Sequence, residues 1–80
     1  MDELDVMQEM DAKRPSDKQL SAMTVNERLF ACGLLDAWGE AARNRDRSQM
    51  IALLLQTAIE REQAERTTDA VLDNPEMYGF

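Results

Sequence analysis

The sequence predicts an all-α fold in which a small three-helix unit follows an N-terminal acidic arm. The hydrophobic residues make up 44% of the chain and are mostly Leu, Ala and Met, which favour helices, whereas β-branched residues are few. Apolar side chains also recur at helical spacing from Thr24 to Leu72. Because 80 residues allow one domain at most, we expect these helices to share a single core.

The acidic arm is predicted to cover residues 1–22, and the helical domain residues 23–80. Residues 1–12 contain acidic residues and no basic one, and Lys13-Arg14-Pro15 would end any helix, since proline disfavours helical geometry in the residue before it. The arm is either flexible or a short helix that folds on a partner. In the second case three side chains at steps of three would share one face: Leu4, Met7 and Met10.

Residue pairs with the spacing of a capping box predict where the first helices begin. Ser16 with Gln19 predicts a short helix over about residues 17–23. Thr24 with Glu27 predicts helix A over about residues 25–44, with one apolar face made of Phe30, Leu34, Ala37, Trp38 and Ala41. Gly33, Ala37 and Ala41 form a stripe of small residues, which favours close packing of another helix within the fold.

Helix B is predicted over residues 47–58, because Asp46 and Gln49 resemble another helix start. Its apolar residues cover most of its circumference, which indicates burial on more than one side and favours self-association. If helix B continued, Glu62 and Glu65 would face the core, so we expect a break near residues 59–60. Helix C would then cover residues 61–72 and bury Ala64, Thr68, Val71 and Leu72.

Asn74-Pro75 is expected to end helix C. The apolar chain end is expected to fold back, with Tyr78 and Phe80 on the helices and Gly79 allowing the turn. The layout over residues 23–80 resembles that of short bacterial helical proteins without an assigned function. It does so in four segments: Asn26-Glu27-Arg28-Leu29-Phe30, Gly33-Leu34-Leu35-Asp36-Ala37-Trp38, Arg45-Asp46-Arg47 and Asn74-Pro75-Glu76-Met77-Tyr78-Gly79-Phe80. The resemblance implies a compact three-helix unit that starts near Met23, and it implies no activity, ligand or functional residue.

Charge and residue inventory argue against several classes of function. The formal net charge of −7 disfavours nucleic acid and anionic membranes as partners, since both are negatively charged. The longest dense apolar run, residues 50–55, is far shorter than the ~20 residues that span a bilayer. Met1-Asp2-Glu3 lacks the basic segment of a secretory signal, and Cys32 is the only cysteine, so we expect a cytoplasmic protein.

No catalytic, metal-binding or cofactor-binding residue is predicted. The sequence has no histidine, so it offers neither a Ser–His nor a Cys–His pair for nucleophilic catalysis, and it offers no Cys/His metal site. Cys32 is interpreted as a small buried residue. Carboxylates such as Glu62, four residues from Arg66, are typical of solvated helix surface. We therefore expect no enzyme activity.

The remaining prediction is a protein–protein interaction module, with a second copy in a homodimer, or another protein, as the partner. Its candidate contact residues are Leu4, Met7 and Met10 in the arm, the hydrophobic Trp38, Met50 and Leu54, and the basic Arg43, Arg45 and Arg47. The arginines either offset the partial negative charge at the C-terminal end of helix A and pair with nearby acids, or bind an acidic partner. The alternative function is an acidic inhibitor, antitoxin-like or defence-blocking, that covers a basic surface of a partner enzyme.

Overall fold

The computed structural model describes residues 15–80, so the predicted arm contacts Leu4, Met7 and Met10 lie outside the described residues. Within that range every regular element is helical, which confirms the all-α prediction. There are five α-helices and a final 3₁₀ helix: α1 (Asp17–Leu20), α2 (Val25–Ala31), α3 (Leu35–Arg43), α4 (Arg47–Leu55), α5 (Arg61–Asp73) and η1 (Pro75–Tyr78).

The predicted helix starts are confirmed by their caps. Thr24 accepts a hydrogen bond from the Glu27 backbone N–H at 3.2 Å, and the Glu27 carboxylate accepts one from the Thr24 N–H at 2.8 Å. Ser16 forms the same reciprocal box at α1. Asp46 accepts from the backbone N–H at position 49 and so begins α4. These side chains satisfy backbone donors that have no partner inside the helix.

The prediction of one continuous helix A is wrong, because the chain turns between α2 and α3. Gly33 adopts a left-handed conformation with φ +71°, and its N–H donates to Phe30 O at 3.0 Å. The next N–H, of Leu34, donates to Leu29 O at 2.8 Å, which completes a Schellman motif. Glycine adopts this conformation without steric cost, so Gly33 ends α2 instead of joining a stripe of small residues on one helix.

The turn at Gly33 reverses the prediction for Phe30. If helix A were continuous, the Phe30 ring would lie on its buried face, but in the structure the residue is 74% exposed. Trp38 and Ala41 on α3 remain buried, as the wheel predicted. Ala37 is exposed, because α3 has its own orientation once the chain has turned.

Helix α4 lies between α3 and α5 and also contacts α2. Its buried residues are Met50, Ile51, Leu53 and Leu54, so the apolar circumference predicted for helix B is covered by the chain's own helices. The helix ends at Leu55, three residues earlier than predicted, and the expected break before α5 is confirmed. On α5 the predicted inward residues Ala64, Thr68 and Val71 are buried, and Leu72 is partly buried.

The chain end folds back onto the core. Helix α5 ends at Asp73, and Gly79 is left-handed with φ +88°, so that the Phe80 N–H reaches Pro75 O at 2.9 Å. The Phe80 ring packs against the core, as predicted. Tyr78 remains 47% exposed, so only one of the two aromatic rings is well covered.

Ala58 is strained, because it is a non-glycine residue with φ +65°. We expect Ala58→Gly to raise the free energy of unfolding by about 0.5–1 kcal/mol, since glycine adopts this conformation freely. The matched control is Ala52→Gly at an exposed position inside α4, which should lower it by about 1 kcal/mol. Urea unfolding monitored by circular dichroism measures both, and a loss of stability in Ala58→Gly would contradict the prediction.

Removing the hydroxyl group should change the stability of the protein in opposite directions at two buried threonines. Thr57 Oγ1 donates to Leu54 O at 2.7 Å, whereas Thr68 Oγ1 is buried without a hydrogen-bond partner among the described residues. We expect Thr68→Val to stabilise the protein by about 1 kcal/mol, because it removes an unsatisfied polar atom at nearly constant shape. Thr57→Val should destabilise it by about 1 kcal/mol. Thermal and urea unfolding of the two variants provide the test, and equal signs would refute it.

Candidate interaction surface

Three of the predicted contact residues are in the core. Trp38 is 3% exposed, and Met50 and Leu54 are 0% exposed. Their placement at an interface is corrected, because all three side chains belong to the hydrophobic core that α2, α3, α4 and α5 form within one chain. Their contribution is to the packing of the fold.

Arg47 joins α4 to α5. Its Nε donates to Asp69 Oδ1 at 2.7 Å and its Nη2 to Asp69 Oδ2 at 3.2 Å, a bidentate ion pair. The hydrogen bond from Arg47 holds the pKa of the Asp69 carboxyl below its usual range, and the same contact raises the pKa of Arg47. Of the two alternatives predicted for the arginines, Arg47 follows the pairing with an acid of this chain, and that acid lies on the neighbouring helix instead of beside Arg47 in the sequence.

Arg45 and Arg43 have different environments although both are exposed. Arg45 has φ +56°, forms the left-handed turn after α3, and donates from Nη2 to Leu72 O at 3.1 Å near the end of α5. Its side chain is therefore used within the fold. The Arg43 guanidinium lies over Gly39, where an added Cβ would be 3.3 Å from Nη1. Arg43 forms no ion pair within residues 15–80, so it is the one of the three arginines that is available at the surface.

Arg28 has a structural role that the helical wheel does not predict. Helical spacing places Arg28 away from the apolar face predicted for helix A. In the structure, however, Nε donates to Met23 O at 3.0 Å, and Nη1 donates to both Thr57 O and Ala58 O at 3.2 Å. Arg28 thereby links α2 to the segment between α4 and α5. No local sequence pattern indicates this link, because its acceptors between α4 and α5 are backbone carbonyls about thirty residues away.

Large apolar side chains are exposed at four described positions, and we call them the apolar surface: Phe30 (74%), Leu35 (39%), Met77 (72%) and Tyr78 (47%). They come from the end of α2, the start of α3 and the 3₁₀ helix. The sequence pattern does not predict this surface. It assigns Phe30 to the core and Tyr78 to a covered tail, and both rings are instead at the surface.

Three adjoining grooves connect the apolar surface. The tail groove, about 380 Å³, has Met77 and Tyr78 on its wall and Trp38 at its base. The α3 groove, about 320 Å³, is lined by Leu35 and Tyr78 together with Asp36, Gly39 and Arg43. The Gly33 groove, about 220 Å³, lies between Phe30 and Leu35. Since Tyr78 lines the first two grooves and Leu35 the last two, the exposed apolar side chains form one continuous region.

The described residues offer no group of His, Cys, Asp and Glu side chains placed to hold a metal ion. Over the same part of the chain, no helix has both the length and the apolar character needed to cross a bilayer. Cys32 is partly buried at the end of α2, and the sequence contains no second cysteine.

Comparison with known proteins gives no relative. No protein-family model matches the chain, and no curated protein or solved structure is significantly similar to it. The resemblance to short bacterial helical proteins therefore stays a prediction.

Proposed function

We propose that the chain is a non-enzymatic protein–protein interaction module that self-associates through the apolar surface. The observation that supports this is the continuity of Phe30, Leu35, Tyr78 and Met77 across adjoining grooves. Contiguous exposed apolar side chains are typical of interaction sites, whereas isolated ones are ordinary. Aromatic and methionine side chains are also enriched at the centres of protein interfaces.

The energetics favour association of moderate strength. Fully burying one large apolar side chain contributes about 1.5–3 kcal/mol, and two copies would bring eight partly exposed side chains together. Their summed burial is of the same order as the ~4–15 kcal/mol that association costs in lost motional freedom. We therefore expect a reversible assembly that depends on protein concentration.

The test removes apolar side chains without touching the core. Phe30→Ser with Met77→Ser should shift the protein to a monomer in sedimentation equilibrium, because both side chains are more than 70% exposed. Its free energy of unfolding should change little, since surface substitutions are usually within ~0.5 kcal/mol per site. The matched control is Gln63→Ser at an exposed position of α5, which should associate like the wild type. A wild type that is monomeric at every concentration would refute the proposal.

An acidic inhibitor is the second candidate function, and the net charge of −7 supports it. In the described part of the chain acidic residues outnumber basic ones, and Arg47 is already paired with Asp69, so negative charge is in excess at the surface. The partner would be an enzyme with a basic surface, attracted through long-range electrostatics.

Capture of such a basic enzyme separates the two functions. We expect an inhibitor to retain its partner at low salt, to lose it at high salt, and to lose it when residues 1–15 are removed. Capture that survives both changes would contradict the inhibitor. Sedimentation of the isolated chain would then show whether it self-associates, as the first candidate function requires.

A further inference from the structure

We infer that residues 4–10 of the acidic arm dock in the tail groove of their own chain and so shield part of the apolar surface. The side chains that enter the groove are Leu4, Met7 and Met10. Met77 and Tyr78 on the groove wall, which are 72% and 47% exposed, would then be covered. The docking requires no second copy, whereas its effect on self-association rests on the proposed function.

The lining of the tail groove suits these three side chains. Three aromatic rings line it, those of Trp38, Tyr78 and Phe80, together with the aliphatic Val25 and Val71. Methionine side chains adapt to irregular apolar spaces, and their sulfur atoms make favourable contacts with aromatic rings. An arm segment with one leucine and two methionines therefore matches a groove that has three rings in its lining.

Charge distinguishes the tail groove from its two neighbours. The described residues that line the tail groove are all uncharged, whereas Asp36 lines both the α3 groove and the Gly33 groove. Residues 1–12 carry acids and no base, so in either neighbouring groove the arm would meet a like charge. Arg43 also lines the α3 groove, but its guanidinium lies over Gly39, so an entering apolar side chain would meet a charged group there. The tail groove is therefore the one that fits an acidic segment with apolar side chains.

The arm is long enough to reach the tail groove. Backbone hydrogen bonds hold residues 16–23 in a compact helical path, so Pro15 and Thr24, which lines the groove, are about 20 Å apart or less. Met7 lies eight residues before Pro15, and eight extended residues span up to about 27 Å. The arm also leads directly into the segment that forms this edge of the groove, since Asn26 lines it as well.

The covalent link to the chain favours the arm over a second copy as the occupant. A segment on a short linker has an effective concentration of the order of 1 mM, whereas a second copy is present only at the concentration of the protein. Docking with a dissociation constant below about 1 mM would therefore fill the groove in most unassociated molecules. Self-association then has to displace the arm, which lowers the apparent affinity between copies.

Disulfide formation between the arm and the groove tests the docking. In a Cys32→Ala background, Met7→Cys is combined with Thr67→Cys, which lines the tail groove, or with Ala70→Cys, which is exposed on the same helix outside that groove. The two positions on α5 are three residues apart, about 4.5 Å along the helix, so an undocked arm would reach both. With oxidised glutathione at low protein concentration, we expect the Thr67→Cys variant to form the intrachain disulfide about tenfold faster or more.

Adding Leu4→Ser and Met10→Ser should abolish this difference in rate, because the arm then lacks two of the side chains that hold it in the groove. Equal rates for the Thr67→Cys and Ala70→Cys variants would overturn the inference, and so would a difference that survives the two serine substitutions. Disulfides that form mainly between chains would also overturn it, since the occupant would then be the arm of a second copy.

Sedimentation equilibrium measures the effect of the arm on self-association. Leu4→Ser with Met7→Ser and Met10→Ser should strengthen self-association by about tenfold, because the arm no longer competes for the apolar surface. Gln8→Ser, a polar position of the arm, is the control and should associate like the wild type. Unchanged or weaker association of the triple variant would overturn the shielding. A wild type without self-association would refute the proposed function, and the disulfide rates alone would then decide whether the arm docks.

Discussion

Replacing Leu54 with alanine is expected to lower the free energy of unfolding by about 3–4 kcal/mol. Leu54 is 0% exposed on the helix that contacts α2, α3 and α5, so truncation leaves a cavity at the centre of the core. A core in a chain this short rarely supplies more than ~3–5 kcal/mol. The variant should therefore keep at most about 2 kcal/mol of stability and unfold at a much lower urea concentration than the wild type.

Urea unfolding followed by circular dichroism measures this loss. Leu55→Ala is the matched control, since the neighbouring leucine is only half-buried and its truncation should cost about half as much. If Leu54→Ala kept its stability and lost only self-association, Leu54 would be an interface residue, and its assignment to the core would be wrong.

Arg28→Ala should cost about 2–3 kcal/mol, the second largest effect, because hydrogen bonds from a charged group each contribute more than neutral ones. The guanidinium donates to three backbone carbonyls, of Met23, Thr57 and Ala58. Its loss would also leave carbonyl groups between α4 and α5 without this donor. Because Arg28 joins segments about thirty residues apart, we expect the whole unit to lose stability together.

Arg28→Lys is the sharper comparison for this position. Lysine keeps the charge but lacks the fork that reaches carbonyls on two segments at once, so it should recover less than half of the lost stability. Arg66→Ala is the control, because its exposed i, i+4 pair with Glu62 contributes only about 0.3–0.5 kcal/mol. Equal effects of Arg28→Ala and Arg66→Ala on unfolding would refute the linking role.

The parts of the fold that could be predicted are those encoded locally. Ser16, Thr24 and Asp46 mark helix starts through hydrogen bonds to residues three positions later, so the sequence spacing suffices. The break before α5 could be predicted as well, because a longer helix would have buried Glu62 and Glu65. Burial along α5 follows directly from its helical period.

The missed features depend on competition or on distant contacts. Gly33 is compatible with a helix interior and with a left-handed turn, and the apolar periodicity around it favours the first. Arg45 and Ala58 adopt left-handed turns without being glycine, so no residue type announces them. The apolar surface depends on where η1 lies relative to α2 and α3, which sequence spacing does not determine. The interface residues predicted from hydrophobicity alone are therefore core residues.

The packing of successive helices against one another has a consequence for how fast the native state forms. Most helix contacts join neighbours along the chain, α3 with α4 and α4 with α5 above all. Little loop-closure entropy is lost before such contacts form, and chains of this kind typically fold within microseconds to milliseconds. A newly made chain would thus bury its core residues quickly, before the slower, concentration-dependent association that we propose.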